Sequence, residues 1–396
     1  MKIAIIGGGP SGMMCAIAAS ENHEIDLYEQ NEKLGKKLFI SGKGRCNLTN
    51  NTDEESFLEN VVINKNFLYS AIYTLSPLMT IDMFENFGLK TKTERGNRVF
   101  PISDKSSDVI KTYEKILRKN KVNVLLNTKV SSIAKENDKF IINGKTAYDK
   151  VVIATGGVSY PLTGSTGDGY KFAKSFGHNV NKTKPALIGI ILKNDFNLAG
   201  LTLKNIKIKA KVNGKKEFEE FGELLFTHRG ISGPTVLSLS SRINKYSSIE
   251  LSIDLKPALN FEKLDARILR DFDEFKNKNI SNALVKLLPK DLITYVLEQA
   301  EIPQDKKINQ ITKEERDSLI KSIKSFKLDF SQFDLIDRAI VTSGGIDVKE
   351  IDPSTFESKL VKNLYFIGEV IDVDALTGGY NIQIANSTGY TCGINL

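Results

Sequence analysis

Residues 41–50 read SGKGRCNLTN, a small, polar, glycine-spaced run with one arginine and one cysteine at its centre. Three chemistries suit such a run. A phosphate-binding loop needs G-x-x-x-x-G-K-[ST], but Gly35 stands too far from Gly42-Lys43, and Gly44 follows where a hydroxyl residue is required. A cysteine nucleophile needs a base, and His23, His178 and His228 are all remote in sequence. The third chemistry is recognition of an extended ligand by backbone, with Gly42 and Gly44 letting amide groups approach it.

A second chemically loaded spacing opens the chain: KIAIIGGGPSGMMCAIAASENHEIDLYEQ. Ile3 to Ile6 suit a buried parallel strand, and MMCAIAAS suits a helix of small and apolar residues. Between them Gly7, Gly9 and Gly12 form G-x-G-x-x-G. Gly7 permits the tight turn, Gly9 lets a pyrophosphate approach the backbone, and Gly12 lets the helix pack close to the strand. The helix start offers amide groups and partial positive charge to phosphate. The next strand, EIDLYE, ends at Glu29, which is placed to accept hydrogen bonds from ribose hydroxyls and disfavours a 2′-phosphate. The bound nucleotide is therefore expected to be NAD or FAD.

The elements that must position these groups belong to an ordinary globular chain of 396 residues, long enough for two or three packed units. A net charge of +7 is compatible with an anionic cofactor or with RNA. Cys15, Cys46 and Cys392 are scattered, with no spacing for a zinc site or a disulfide framework, so no metal is expected. No apolar run is long enough to span a bilayer, and a reducing, cytoplasmic setting without membrane association is expected.

Two further segments favour FAD. KVVIATGG (150–157) is a strand ending in Ala154-Thr155-Gly156-Gly157, of the kind that closes a nucleotide domain near the phosphates. Near the end, a strand at 364–367 precedes Gly368-Glu369, and a glycine turn leads into a helix from about Tyr380. The helix start there suits the pyrimidine end of a flavin, where reduction builds negative charge. With SGKGRCNLTN, RVFPISDKSSDV, ATGGVSYPLTGSTGDGY, LLFTHRGISGP, TSGGIDVKEID and GEVIDVDALTGGYNIQIANSTG, the chain resembles, over nearly its whole length, one bacterial flavoprotein family. Members go under the names of aminoacetone oxidase-like enzymes, dehydro-bile-acid reductases, NAD(P)/FAD-dependent oxidoreductases and ribosomal RNA dihydrouridine synthases.

The resemblance implies an α/β fold: a Rossmann-like FAD domain of glutathione-reductase type, interrupted by a β-rich, barrel-like domain and a small helical subdomain. The expected boundaries are 1–186 for the first part of the FAD domain, 187–258 for the β-rich insert and 259–328 for the helical subdomain. Residues 329–343 are expected as a return strand of the insert, and 344–396 as the second part of the FAD domain. In NIKIKAKVNGKK, Ile206, Ile208, Ala210 and Val212 alternate with Lys207, Lys209 and Lys211, and Asn213-Gly214 signals a hairpin. Thr312 and Glu315 spell a capping box, and Pro289 fits the first turn of a helix.

Candidate cofactor contacts at the first turn are Gly7, Gly9, Pro10, Ser11, Gly12, Glu29 and Gln30. The polar segment adds Lys36, Lys37, Ser41, Gly42, Gly44, Arg45, Cys46 and Asn47, with a lysine of this segment pairing with the diphosphate. Val130, Ala154, Thr155, Gly156 and Gly157 follow, then Gly368, Glu369, Gly379, Tyr380, Asn381 and Ile382. Candidate catalytic groups are Cys46, Arg98, His228 and Tyr380, the first three with a structural alternative: packing under the flavin for Cys46, tying a loop for Arg98, bonding a turn for His228. No second G-x-G-x-x-G follows a strand, so NAD(P)H, if it is the electron donor, binds transiently. The expected reaction is hydride delivery from reduced FAD to an activated C=C bond, a uridine of ribosomal RNA being one acceptor. The alternative is an oxidase of a small amine or α-amino ketone such as aminoacetone that passes electrons to O₂. The lysine row would serve a polyanionic substrate, or be only a solvated strand face.

Overall fold

The computed structural model describes all residues 1–396. They form two compact units: Met1–Ala186 with Leu335–Leu396, and Leu187–Asp334.

In the first unit, the apolar runs read from the sequence become a five-stranded parallel sheet. Its order is Leu364–Phe366, Lys150–Ile153, Lys2–Ile6, Glu24–Tyr28, Asn123–Leu125. Ile3, Ala4, Ile5, Val151, Val152 and Ile153 have no exposed surface, as strands covered on both faces require. The helix Pro10–Ala19 starts with proline at its first turn and is buried almost all round. A helix of that kind needs partners on two sides. One is the sheet, and the other is the C-terminal helix Tyr380–Ile394, which brings Gly389 and Gly393 against it. A Cβ on Gly389 would lie 2.3 Å from the Ser11 carbonyl oxygen, and one on Gly393 2.6 Å from the Ala18 methyl. The two backbones approach that closely only because both positions lack a side chain.

The second unit is a seven-stranded sheet with helices sharing its core. The order is Phe326–Leu328, Ile249–Asp254, Thr202–Val212, Lys216–Thr227, Gly230–Ser232, Ile190–Leu192, Phe330–Phe333. Its two edge strands are joined by Asp329 alone, which forces the sheet to curl back on itself in a barrel-like form. The alternation at 206–212 holds: Ile206, Ile208, Ala210 and Val212 are buried and the lysines face outward. Asn213 and Gly214 both take positive φ (+50° and +68°), the conformation of a tight hairpin turn. The capping box of Thr312 and Glu315 opens the helix Lys313–Lys324, and Pro289 stands at the N-cap of Lys290–Gln299.

Two expectations about organisation change. The helical stretch is not a body of its own, since Leu264, Ile268, Leu292, Val296 and Ile323 enter the same core as Ile208, Val212 and Ile253 of the sheet. The apolar faces of the helices cover the inner face of the sheet, and neither could be dry without the other. Nor does the insert run to 343. Phe330–Phe333 pairs within the second unit, whereas Val341–Ser343 pairs with Lys184–Ala186 in the first, so the return to the first unit begins at Leu335.

Candidate functional site

The first glycine turn is built as its spacing requires. Gly7 has φ +114°, and a Cβ there would lie 2.4 Å from the Ala154 carbonyl oxygen. A Cβ on Gly12 would lie 1.9 Å from the Gly7 carbonyl oxygen, so strand and helix pack at glycine distance. Gly9 faces open space, with no atom within 4 Å of where its Cβ would be. The first intrahelical bond runs from the Met13 amide to the Gly9 carbonyl (2.9 Å), leaving the Ser11 and Gly12 amides at the helix start for a ligand. Pro10 fixes the first turn beside them. The Glu29 carboxylate is held at the end of its strand by the amides of Gly8 (2.9 Å) and Asn31 (2.8 Å). The Gln30 side chain donates to the Gly164 carbonyl (2.8 Å), bringing the 160–166 loop against the strand end.

The polar segment after Gly35 is a kinked helix, Lys36–Gly44, broken at Ser41, Gly42 and Lys43, the last two in left-handed conformation. Ser41 Oγ caps back onto the Leu38 carbonyl (2.7 Å). Gly44, with φ +81°, also faces open space. Cys46 takes φ +56°, and its side chain is fully buried. Burial pushes its thiol up to about 12, with Ser41 pulling weakly the other way. At neutral pH it is a thiol, not a nucleophilic thiolate. Beside it the Asn47 Oδ1 is buried without a hydrogen-bond partner.

Three cations of this segment are paired within the protein. Lys36 binds Glu32 (3.2 Å) and Asn31 (3.3 Å). Lys37 binds both oxygens of Glu369 (2.8 and 3.0 Å) and Ser159 Oγ (2.6 Å). Arg45 is bound by Glu94 and Asp104 and lies over the Phe100 ring at 4.1 Å. Each of these three cations is thus held by a carboxylate of the chain, whereas Lys43 has no ion pair.

Val130 is buried and lines a cleft of about 440 Å³ with Lys129, Asp168 and Phe172. Ala154 follows the strand Lys150–Ile153, and Thr155 Oγ1 beyond it is buried without a partner. Gly156 has φ +73°, and Gly157 lies against Thr342, where a Cβ would come within 2.3 Å of the hydroxyl. Gly368, with φ +72°, leaves just enough room for Ser11, whose Oγ would be 2.5 Å from a Cβ there. Glu369 accepts from the Thr342 amide (2.8 Å) as well as from Lys37. The C-terminal helix starts from Gly379 (φ +98°), seated on the Thr49 backbone, with Ile382 half-buried in its first turn. Gln383 buttresses this start, accepting from Thr49 Oγ1 (2.6 Å) and donating to Thr80 Oγ1 (2.8 Å). Asn381 does not face outward. Its amide closes on the backbone of Ala375 with bonds of 3.0 and 2.7 Å.

Of the candidate catalytic groups, Cys46 and Tyr380 are buried in the first unit. The Tyr380 ring packs edge-on to Phe57 at 5.1 Å, and burial raises its phenol above the ordinary range, keeping it neutral. Arg98 is exposed, its Nε donating to the Arg95 carbonyl (3.0 Å). His228 is exposed in the turn between Lys216–Thr227 and Gly230–Ser232, in the second unit. The sequence reading missed Ser159, Thr342, Thr49 and Gln383. Ser159 and Thr342 lie inside the ATGGVSY and TSGG runs, but nothing in either run marks the hydroxyl as the group that matters.

Open space over Gly9 and Gly44 and free amides at a helix start leave room for an extended ligand. The residues fit FAD: Ser11 and Gly12 amides for the diphosphate, Glu29 for the ribose, Asn47 and the start of the C-terminal helix for the ring system. Residues 1–395 match the family described as HI0933-like protein Rossmann domain. The chain belongs to the HI0933-like family. Among curated HI0933-like relatives, the 3-dehydro-bile acid delta(4,6)-reductase of Clostridium scindens is 32% identical, over 99% of this chain and 98% of its own. The ribosomal RNA dihydrouridine synthase of Escherichia coli is 31% identical over 99% and 97%. Of solved structures, 3-ketosteroid-delta4-(5alpha)-dehydrogenase from Rhodococcus jostii RHA1, in complex with 4-androstene-3,17-dione, shares the fold with a TM-score of 0.52. Its identity is 14%, over 99% of this chain and 96% of that one. The fold class and enzyme class expected from sequence therefore stand: a Rossmann-type FAD domain and an FAD-dependent oxidoreductase. No helix is long and apolar enough to cross a membrane.

Proposed function

We propose that this protein is a reductase that uses FAD to add hydrogen across a C=C bond conjugated to a carbonyl, with NAD(P)H as a transient electron donor. One observation carries the reading. Two relatives of nearly equal similarity, each aligned over almost the whole chain, bear names that describe the same bond change on dissimilar molecules. A delta(4,6)-reductase of a 3-dehydro steroid acid and a dihydrouridine synthase both saturate a C=C bond activated by a neighbouring carbonyl. FAD, when bound and reduced by NAD(P)H, would supply the hydride. The chain's own residues bind and orient it, exclude water and supply a proton. The neutral Tyr380 phenol at the head of the C-terminal helix is the proposed proton source, while Cys46, with no exposed surface, is left to packing.

Uridine of ribosomal RNA is the acceptor proposed first, in a cytoplasmic setting. The lysine row gives that choice little help, because Lys207 is bound by Glu219 (2.8 Å) and Lys209 by Glu217 (3.3 Å). With two of its three lysines neutralised in this way, the row attracts a polyanion weakly. The test is mass mapping of dihydrouridine in ribosomal RNA from cells with and without the gene. In parallel, photoreduced protein is mixed anaerobically with a steroid enone. Loss of a dihydrouridine signal, or rapid reoxidation by the enone, supports the reading and picks the substrate. Fast reoxidation by O₂, together with reduction of the flavin by aminoacetone, would overturn it in favour of an oxidase.

A further inference from the structure

The ion pair of Lys37 and Glu369 joins residues 332 positions apart, and four separate stretches of the chain meet at it. Lys37 comes from the kinked helix and Glu369 from the turn after the strand Leu364–Phe366. Ser159 Oγ accepts from Lys37 at 2.6 Å, and the Thr342 amide donates to Glu369 Oε1 at 2.8 Å. Thr342 Oγ1 in turn accepts from the amides of Val158 (2.9 Å) and Ser159 (3.2 Å). The cluster therefore has a positive end, a negative end and a hydroxyl bridge, and both ionic side chains are about three-quarters covered, at 25% and 22% exposure.

Its position matters as much as its bonds. Gly368, next to Glu369, touches Ser11 at the start of the first helix, where the free amides stand. Glu369 Oε2 lies 3.9 Å from where a Cβ of Gly156 would be, so the carboxylate also borders the Ala-Thr-Gly-Gly turn. A bare carboxylate at this place would repel a diphosphate held by those amides. A carboxylate bound on both oxygens by an ammonium group does not add that charge, and it keeps an acceptor in a fixed direction for a ligand hydroxyl.

We infer that Lys37 is a positioning residue for FAD binding: it neutralises and orients Glu369 at the diphosphate end of the site instead of contacting the diphosphate itself. The inference rests on the FAD reading. Four variants test it: Lys37→Met, Lys37→Arg, Glu369→Lys and the double charge swap Lys37→Glu with Glu369→Lys. The FAD dissociation constant of each is measured by fluorescence of released flavin, and the melting temperature of each apoprotein is recorded. Lys37→Met should weaken FAD binding tenfold or more while moving the apoprotein melting temperature little. Lys37→Arg should stay within about threefold of the parent, and the swap should bind FAD more tightly than Glu369→Lys alone.

Unchanged FAD affinity in Lys37→Met overturns the inference. So does an equal loss in Lys37→Arg, or a swap no better than Glu369→Lys. A fall in apoprotein melting temperature large enough to account for the lost affinity also overturns it, reducing the pair to a structural tie. Failure of the parent protein to bind FAD at all would instead strike the FAD reading on which the inference stands.

Discussion

Cys46 sits at the centre of the run that raised a nucleophile as one option, and its surroundings decide against it. With no exposed surface and a thiol pushed up to about 12, it carries almost no thiolate at neutral pH. Native protein treated with iodoacetamide at pH 8 should therefore leave Cys46 unlabelled, as read by peptide mass. Cys46→Ala should keep the flavin absorption spectrum while losing about 1–2 kcal/mol of stability through the cavity it leaves. Residue-scale legibility was uneven for a physical reason. Gly7, Gly12 and Gly368 could be read because a tight turn or close backbone approach tolerates no other residue type. The lysines could not, because a formal charge does not say which acid will reach it. Glu32 lies four residues from Lys36, but Glu369 lies 332 from Lys37.

At the scale of elements, a buried histidine ties the two chain segments of the first unit, before and after the insert, to each other. His178 Nε2 meets Ser358 Oγ at 2.8 Å, and its Nδ1 meets the Glu350 carboxylate at 3.1 Å. Glu350 also accepts from the Asn179 amide (2.9 Å). Burial lowers the affinity of His178 for a proton, and Glu350 offsets this only in part. The unfolded chain therefore binds a proton that the folded chain does not. The stability contributed is fully present above the unfolded value of about 6.5 and is lost as pH falls below it. Melting temperature should decline from pH 7 to pH 5, and His178→Asn should flatten that slope while costing roughly 1–3 kcal/mol at pH 7. Strands, the hairpin and the capping box were legible because each is set by local pattern. The merging of helices with the insert's sheet was not, since a shared core is a property of faces that meet only after folding.

At the scale of the whole molecule, each unit has its own apolar core, and apart from His228 every expected cofactor and catalytic residue belongs to the first. Ala186 pairs with Val341, so the chain leaves the first unit and re-enters it at neighbouring points. Replacing residues 187–334 by a short glycine-serine linker should leave a protein that binds FAD, seen as a flavin absorption spectrum after gel filtration. A colourless product that circular dichroism finds folded would contradict this. The expected end of the insert, 343, lies nine residues past Asp334, because Val341–Ser343 reads equally well as a strand of either unit until its partner is known.

The seam between the opening helix and the C-terminal one has a consequence for how the protein is made. A ribosome releases Ser11 early and Gly389 only after the insert has been synthesised. Throughout elongation, the small-residue face of the opening helix is bare and the turn that receives Gly368 is empty. A chain cut short before Tyr380 should therefore hold flavin poorly, which the absorption spectrum of such a truncated product would check.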